Sequence, residues 1–179
     1  MAGAYAAFNP LRVLNSEMKN TENIRHIPAA PKADRRDQVA ASERKGAYSI
    51  LLMDDEEGIL RVTGRMLEVL GCKVSCARHG VEALEIFADA LENGRPFDAV
   101  IMDLTVRGGL GGKGTILAMR EIQPGVKAIV SSGYSNDPVM ANYRQYGFCD
   151  ILSKPYRIED LRETLARTLG TDPSAPMAV

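Results

Sequence analysis

The chain has 179 residues, of which 45% are hydrophobic and 25% are charged. This length favours a single domain, and the composition is that of a globular protein rather than of a disordered or collagen-like one. Lys and Arg number 22 against 23 Asp and Glu, so a net charge of -1 provides no overall field to attract nucleic acid or an anionic membrane. We therefore expect any charged partner to be bound locally.

The cysteines and the apolar segments indicate a cellular compartment. Cys72, Cys76 and Cys149 form no CxxC pair and have no neighbouring histidine cluster, which argues against a disulfide framework and a zinc site. No uncharged apolar run approaches the roughly 20 residues of a membrane helix. The mildly apolar N-terminus lacks a basic lead-in and is interrupted at Asn9-Pro10, unlike a secretory signal. We expect a cytoplasmic protein that binds neither membrane nor nucleic acid.

The sequence divides into an irregular beginning and a regular remainder. Few large apolar side chains occur before residue 47, and the stretch 27–37 is rich in Pro and charge, which is typical of a linker. Apolar residues within 11–24 have the spacing of one short helix. We predict an N-terminal extension at 1–46, one domain at 47–170 and a flexible tail at 171–179.

From Tyr48 onward, short apolar runs alternate with amphipathic stretches. The runs have the length of buried strands, and the stretches between them repeat apolar residues at helical spacing before a Gly or Pro-Gly. Strict alternation implies a parallel sheet with helices on both faces, joined by right-handed crossovers. We predict strands at 48–53, 73–76, 97–102, 126–132 and 149–153, and helices at 60–70, 81–91, 114–122, 138–146 and 158–169.

Polar side chains stand at the ends of four of these strands. Asp54-Asp55 follows the first strand, Asp103 the third and Lys154 the fifth, while two serines, 131–132, end the fourth. Ligands of open parallel sheets bind at the carboxyl ends of the strands. Three nearby carboxylates repel one another unless a cation lies among them, so the set predicts a divalent cation, a raised carboxyl pKa or both. An oxygen site of this kind suits Mg²⁺. Nucleophile, cation, hydroxyl and ammonium are together what an aspartyl phosphate requires.

The strand ends carry four motifs, Leu52-Met53-Asp54-Asp55-Glu56, Val100-Ile101-Met102-Asp103-Leu104, Ile129-Val130-Ser131-Ser132-Gly133 and Ser153-Lys154-Pro155-Tyr156. These motifs resemble those of the response regulator receiver domain of two-component signalling, with a finer likeness to receivers of hybrid sensor histidine kinases. The resemblance covers about 49–169. It implies an α/β fold with a flavodoxin-like, doubly wound five-stranded parallel sheet of order 2-1-3-4-5 and helices on both faces.

Position by position, the resemblance assigns the phosphoacceptor and the metal ligands. Asp103 takes the position of the phosphoacceptor and is also a ligand of Mg²⁺. Asp55 would bind the metal directly, Asp54 mainly through water, and Thr105 through its backbone carbonyl. The loop after Asp103 departs from the usual pattern, because Arg107 stands where receivers usually carry proline and the loop is one residue longer.

The resemblance also assigns the groups that respond to phosphorylation. Lys154 takes the position of the phosphate-pairing lysine, with a cis Lys154-Pro155 peptide. Ser132 takes that of the switch hydroxyl, and we prefer it to Ser131 because it precedes the small Gly133 and strand alternation points only one of the two serines to the site. Ile151 stands where many receivers carry the Tyr or Phe of the switch.

The implied function is phosphoryl transfer from a sensor histidine kinase or phosphotransfer protein, which switches a surface at about 134–156 for a downstream protein target. Such a chain catalyses only its own phosphorylation and dephosphorylation. The alternative is a degenerate receiver that binds proteins independently of phosphorylation. No output domain is visible, and we favour a stand-alone relay protein over a piece of a larger kinase.

Two other classes of site fail on particular residues. A P-loop would need glycine at Arg107 and Ser or Thr at Gly114. A phosphatase with an aspartyl intermediate would need a second carboxylate two residues after the nucleophile, where Thr105 stands.

Overall fold

The computed structural model describes residues 47–106, 110–133, 137–174 and Met177. The predicted extension at 1–46, its helix within 11–24 and residues 107–109 of the loop after Asp103 lie outside the described residues, and the predicted domain boundaries stay predictions. Strands and helices alternate from Ser49 to Leu169. They are β1 Ser49–Met53, α1 Glu57–Val69, β2 Lys73–Ala77, α2 Gly80–Glu92, β3 Ala99–Asp103, α3 Gly112–Ile122, β4 Ala128–Ser132, α4 Pro138–Ala141, a 3-10 helix Tyr143–Tyr146, β5 Asp150–Ser153 and α5 Ile158–Leu169.

The five strands form one parallel sheet in the order β2-β1-β3-β4-β5. This confirms the predicted flavodoxin-like, doubly wound sheet. Every residue of β3 and of β4 is buried, as expected for central strands that are covered on both faces. The strand order changes direction between β1 and β3, which places the switch point where these two strands end.

The sheet separates two apolar cores. On one face α2 and α3 contribute side chains such as Phe87 and Met119, and on the other α1 and α5 contribute Leu67 and Leu165. Successive residues of β3 enter the two cores alternately, because side chains of a strand point to opposite faces in turn. Helices therefore cover both faces, as the alternation of elements predicts.

The single helix predicted at 138–146 is wrong, because the segment divides into α4 and the 3-10 helix. Asp137 caps α4 by accepting from the Val139 N–H at 2.8 Å. Asn142 then leaves the helical conformation, with φ -125° and ψ 30°, while its side chain donates to the carbonyl of Pro138 at 3.2 Å. The Asn142 N–H donates to the same carbonyl at 3.1 Å, so Asn142 closes the single turn of α4 with both its backbone and its side chain. Gly147, at φ 94°, ends the 3-10 helix.

The remaining predicted bounds differ by a few residues at element ends, and α5 has the bounds that its sequence predicts. Helix α3 begins at Gly112 rather than at residue 114. A Cβ atom on Gly112 would lie 2.6 Å from the carbonyl oxygen of Asp103, so glycine permits this close approach. The beginning of α3 therefore packs directly against the end of β3.

Candidate functional site

Three carboxylates meet where β1 and β3 end. Met53 pairs with Met102 across these neighbouring strands, so Asp54 and Asp103 follow at the same level. One carboxylate oxygen from each of Asp54, Asp55 and Asp103 lies within 4.8 Å of the others. Asp54 and Asp103 are 2% and 4% exposed, whereas Asp55 is open to solvent. Two buried negative charges therefore stand beside one that faces water.

Lys154 brings a positive charge into this cluster from the end of β5. Its Nζ donates to Asp54 Oδ2 at 2.6 Å and to Asp103 Oδ1 at 3.2 Å. Its backbone N–H donates to the carbonyl of Ser132 at 2.9 Å, and the predicted cis peptide between Lys154 and Pro155 is present. The ammonium balances only one of the three carboxylates, so the described site keeps an excess of negative charge.

Burial and pairing set the ionisation of this ion pair. Burial raises the pKa of Asp54 above its ordinary value, although hydrogen bonds from Lys154 and from the Glu56 N–H work against the rise. For Lys154, burial by itself would lower the pKa, but the hydrogen bond to Asp54 and the charge of Asp103 outweigh it and raise the pKa. The ammonium is thus firmly charged, while Asp54 bears the cost of being buried as an anion.

Asp103 is also held from the side opposite Lys154, by Thr105. The Thr105 N–H and hydroxyl donate to Asp103 Oδ2 at 3.3 and 3.1 Å. Asp54 makes a similar local turn, because its Oδ1 accepts from the Glu56 N–H at 3.0 Å. The sequence analysis missed these bonds, although an Asp that bonds the N–H two residues later is a common turn. Both carboxylates are thereby fixed in orientation.

The two serines that end β4 are both buried. In the strand register Ser131 pairs with Asp103, and Ser132 lies one residue further along. The Ser131 hydroxyl has no hydrogen-bond partner within the described part of the chain. The assignment of the switch hydroxyl to Ser132 stays a prediction, as does the role of the Thr105 carbonyl as a metal ligand.

A second contact that the sequence does not reveal involves Tyr156. Its hydroxyl shares a hydrogen bond of 2.8 Å with the hydroxyl of Thr63, which is buried on α1. The ring packs against the core formed by α1 and α5. Burial raises the pKa of Tyr156, so the phenol is protonated at neutral pH. Thr63 and Tyr156 are distant in sequence, and no local pattern connects them.

The donor set fits a hard divalent cation. Carboxylate oxygens are the ligands that Mg²⁺ prefers, and Mg²⁺ usually keeps several waters, for which the exposed side of Asp55 leaves room. Lys154 occupies one oxygen of Asp54 and one of Asp103, and the contact of Asp54 with the metal through water stays a prediction. Among all the helices of the described residues, none is both long and apolar enough to cross a membrane.

Comparison with known proteins gives the same family along the chain. Residues 50–166 match the model of the response regulator receiver domain. Sensor kinase CckA of Brucella abortus is 32% identical over 139 residues, which are 73% of this chain and 14% of the kinase. Transcription factor SKN7 of Chaetomium thermophilum is 27% identical over 135 residues, which are 75% of this chain and 17% of that protein. The chain thus spans about a sixth of the length of these relatives.

Solved structures agree with the sequence comparison. A response regulator receiver domain protein from Clostridium thermocellum is 28% identical, with a TM-score of 0.61 over 69% of this chain and 94% of the other. The receiver domain of a sensor histidine kinase from Pseudomonas aeruginosa, which has a magnesium ion coordinated in its active-site cleft, is 25% identical, with a TM-score of 0.60 over 70% of this chain and 99% of the other. With its strand order and its acidic pocket, the chain belongs to the response regulator receiver domains of two-component signalling.

Proposed function

We propose that Asp103 accepts a phosphoryl group from a phosphohistidine of a sensor histidine kinase or a phosphotransfer protein. The observation that carries the proposal is the setting of the Asp103 carboxylate. It lies within 4.8 Å of two further carboxylates, and Lys154 and Thr105 hold its two oxygens. The likeness to a sensor kinase and to a receiver domain cut from one favours this class of donor.

The transfer needs little from the chain beyond position and charge. An oxygen of Asp103 forms a bond to phosphorus while the phosphorus–nitrogen bond to the imidazole breaks, and the imidazole nitrogen keeps the electron pair and takes a proton from water. Lys154 and the Thr105 donors fix the carboxylate for this attack. A Mg²⁺ ion held by Asp54, Asp55, Asp103 and the Thr105 carbonyl would offset the repulsion between carboxylates and phosphoryl oxygens.

Phosphorylation would then change a protein-binding surface. The phosphoryl group adds negative charge at Asp103, which draws Lys154 away from its bond to Asp54 and draws the Ser132 hydroxyl inward. Because β4 and β5 carry these groups, we expect the surface at about 134–156 to shift between two packings that a downstream protein target distinguishes. Ile151 provides no aromatic ring for this shift. Hydrolysis of the acyl phosphate at Asp103, catalysed by the chain itself, would end the signal. We propose the cytoplasm as the place of this cycle.

Acetyl phosphate tests this proposal without knowledge of the kinase. With Mg²⁺ present, we expect the intact mass to rise by one phosphoryl group, and peptide mapping to place it on Asp103. Asp103→Asn should abolish the gain, while Asp89→Asn, on the exposed side of α2, makes the same chemical change and should keep it. A wild-type protein that gains no mass, or a gain that survives in Asp103→Asn, would contradict the proposal.

The degenerate receiver is the second candidate, and the site does not favour it. A receiver that works only as a binding module needs none of the three carboxylates in proximity, nor Lys154 between them. Chelation of Mg²⁺ separates the two functions further. It should stop phosphorylation of a working receiver, whereas a module would bind its partner equally well with and without the metal.

A further inference from the structure

A hydroxyl pair lies beside the turn that carries Lys154. Tyr156 follows Lys154 by two residues, and its hydroxyl lies 2.8 Å from that of Thr63 on α1. Immediately after it, the Arg157 N–H donates to Asp160 Oδ2 at 2.8 Å at the beginning of α5. Tyr156 therefore stands in the short connection between the site and α5, and joins that connection to a different helix.

The position of the Lys154 ammonium depends on how its backbone is held. Four flexible bonds separate this group from the chain, yet it must serve two carboxylates, at 2.6 Å from Asp54 and 3.2 Å from Asp103. On one side, the Lys154 N–H is bound to the carbonyl of Ser132. On the other side, the bond between Tyr156 and Thr63 fixes the connection against α1. The backbone of Lys154 is thus held between β4 and α1.

The two hydroxyls are not needed to fill this part of the core. Thr63 is 2% exposed, and the ring of Tyr156 packs with apolar side chains. A Val and Phe pair has nearly the same shape and would avoid burying two polar groups, and such replacements are often neutral for stability. The Ser131 hydroxyl also lies close enough to affect the phenol, but it makes no hydrogen bond with the described residues. Thr63 is therefore the partner of the phenol.

We infer that Tyr156 is a positioning residue for the phosphoryl group. Its hydroxyl ties the turn of Lys154 to Thr63 and so places the ammonium for the oxygens of a phosphoryl group on Asp103. The inference rests on the proposed function, because it concerns the same site. Tyr156 would thus be an aromatic side chain that acts through Lys154, although Ile151 stands where many receivers carry the aromatic residue of the switch.

Beryllofluoride, a non-covalent mimic of a phosphoryl group, provides the measurement. Its affinity for the protein in saturating Mg²⁺ can be followed by NMR titration, and its fluorine atoms would face Lys154. Losing one hydrogen bond should weaken this affinity about threefold to tenfold in Tyr156→Phe, and to the same degree in Thr63→Val. The affinity for Mg²⁺ alone should stay unchanged in both. Tyr48→Phe, which removes a hydroxyl directly before β1, at the end of the strand opposite the site, should bind beryllofluoride as the wild type does.

The decisive comparison uses Lys154→Ala as the background. If the phenol acts through the ammonium, adding Tyr156→Phe to Lys154→Ala should cause no further loss of beryllofluoride affinity. An equal loss in both backgrounds, or no loss in the single variants, would overturn the inference and leave the hydroxyl pair with a structural role. These results presuppose that the wild type gains mass at Asp103 from acetyl phosphate. A wild type that fails there contradicts the proposed function itself, whatever the variants do.

Discussion

Charged side chains make different contacts at the two ends of the parallel strands. We call the side of the sheet where the strands begin the amino edge and the side where they end the carboxyl edge. At the amino edge, the Asp98 carboxylate accepts from the Ser49 N–H at 2.8 Å, and the Asp98 N–H donates to the Ser49 carbonyl at the same distance. Lys127 there donates to the carbonyl of Leu169 at 3.3 Å. At the carboxyl edge, Asp54 and Asp103 are buried with Asp55 beside them, and Lys154 is shared between the buried pair.

The charged groups at the amino edge stabilise the fold, whereas those at the carboxyl edge are arranged to bind a ligand. At the amino edge Asp98 and Lys127 are each matched to a backbone group, which satisfies a donor or an acceptor that the strands and α5 leave open. At the carboxyl edge the carboxylates outnumber the ammonium, and burial raises the pKa of Asp54. Natural proteins break the rules of stable packing at sites where a ligand compensates. The excess of buried negative charge therefore marks the carboxyl edge as the functional site. Each prediction tests the charges of one edge.

The largest expected effect concerns Cys72, which lies at the amino edge directly before β2. Burial raises the pKa of its thiol to about 11, and the negative charge of Asp98 contributes. At neutral pH its thiolate fraction should be about 100-fold below that of a thiol at pKa 9, before restricted access slows the reaction further. Iodoacetamide labelling, followed by peptide mass spectrometry, should modify the exposed Cys149 long before Cys72. Labelling in urea controls for intrinsic reactivity, and equal native rates would contradict the prediction.

The next effect should distinguish the two edges by stability. Asp98→Ala leaves the Ser49 N–H without its acceptor, and we expect the free energy of unfolding to fall by about 1–3 kcal/mol. Phosphorylation from acetyl phosphate should continue in the folded protein. Asp98→Asn, which keeps an acceptor oxygen, should recover most of the loss. Asp103→Asn should show the reverse pattern in urea unfolding and phosphorylation assays, with stability kept and phosphorylation lost. A large loss of stability in Asp103→Asn would erase the contrast.

Mg²⁺ should act on the carboxyl edge alone. A ligand that binds only the folded state at ten times its dissociation constant adds about 1.4 kcal/mol to the free energy of unfolding. We expect this increment in wild-type protein and in Asp98→Ala, and its loss in Asp55→Asn, which removes the exposed carboxylate of the cluster. Thermal melts in Mg²⁺ and in NaCl of equal ionic strength separate binding from screening. An increment that persists in Asp55→Asn would contradict the proposed ligand set.

Much of this architecture is readable from the sequence because it rests on regular patterns. Buried parallel strands require apolar runs, and the carboxyl ends of those strands meet on one side of the sheet, so the sequence predicts that Asp103 and Lys154 share this side. β4 lies between the strands that carry them, and the long side chain of Lys154 spans that gap. The bounds of α5 follow from its periodic apolar residues and from Gly170, whose φ of 78° ends the helix.

What the sequence does not reveal depends on competition between side chain and backbone, or on pairs distant along the chain. The break after α4 lies at Asn142, whose backbone leaves the helical conformation while its side chain and its N–H both donate to the carbonyl of Pro138, and a periodic apolar pattern does not show such a local bond. The bond between Tyr156 and Thr63 joins residues from α1 and from the turn before α5, and it becomes visible only when the helices pack. Irregular contacts of this kind adjust a site whose location regular patterns determine.

The smallest expected effect tests whether every buried polar group at the carboxyl edge serves the site. The hydroxyl of Ser131 lacks a hydrogen-bond partner among the described residues, so Ser131→Ala removes no bond and should change the free energy of unfolding by less than about 0.5 kcal/mol. The rate of phosphorylation should stay unchanged in this variant and fall in the neighbouring Ser132→Ala. Urea unfolding measures the stability of both variants, and time-resolved mass spectrometry measures their rates of phosphorylation. The strand register argues the other way, since it pairs Ser131 with Asp103. A slower reaction in Ser131→Ala than in Ser132→Ala would therefore assign the switch hydroxyl to Ser131. The Ser131 hydroxyl would then be the donor to the phosphoryl group on Asp103.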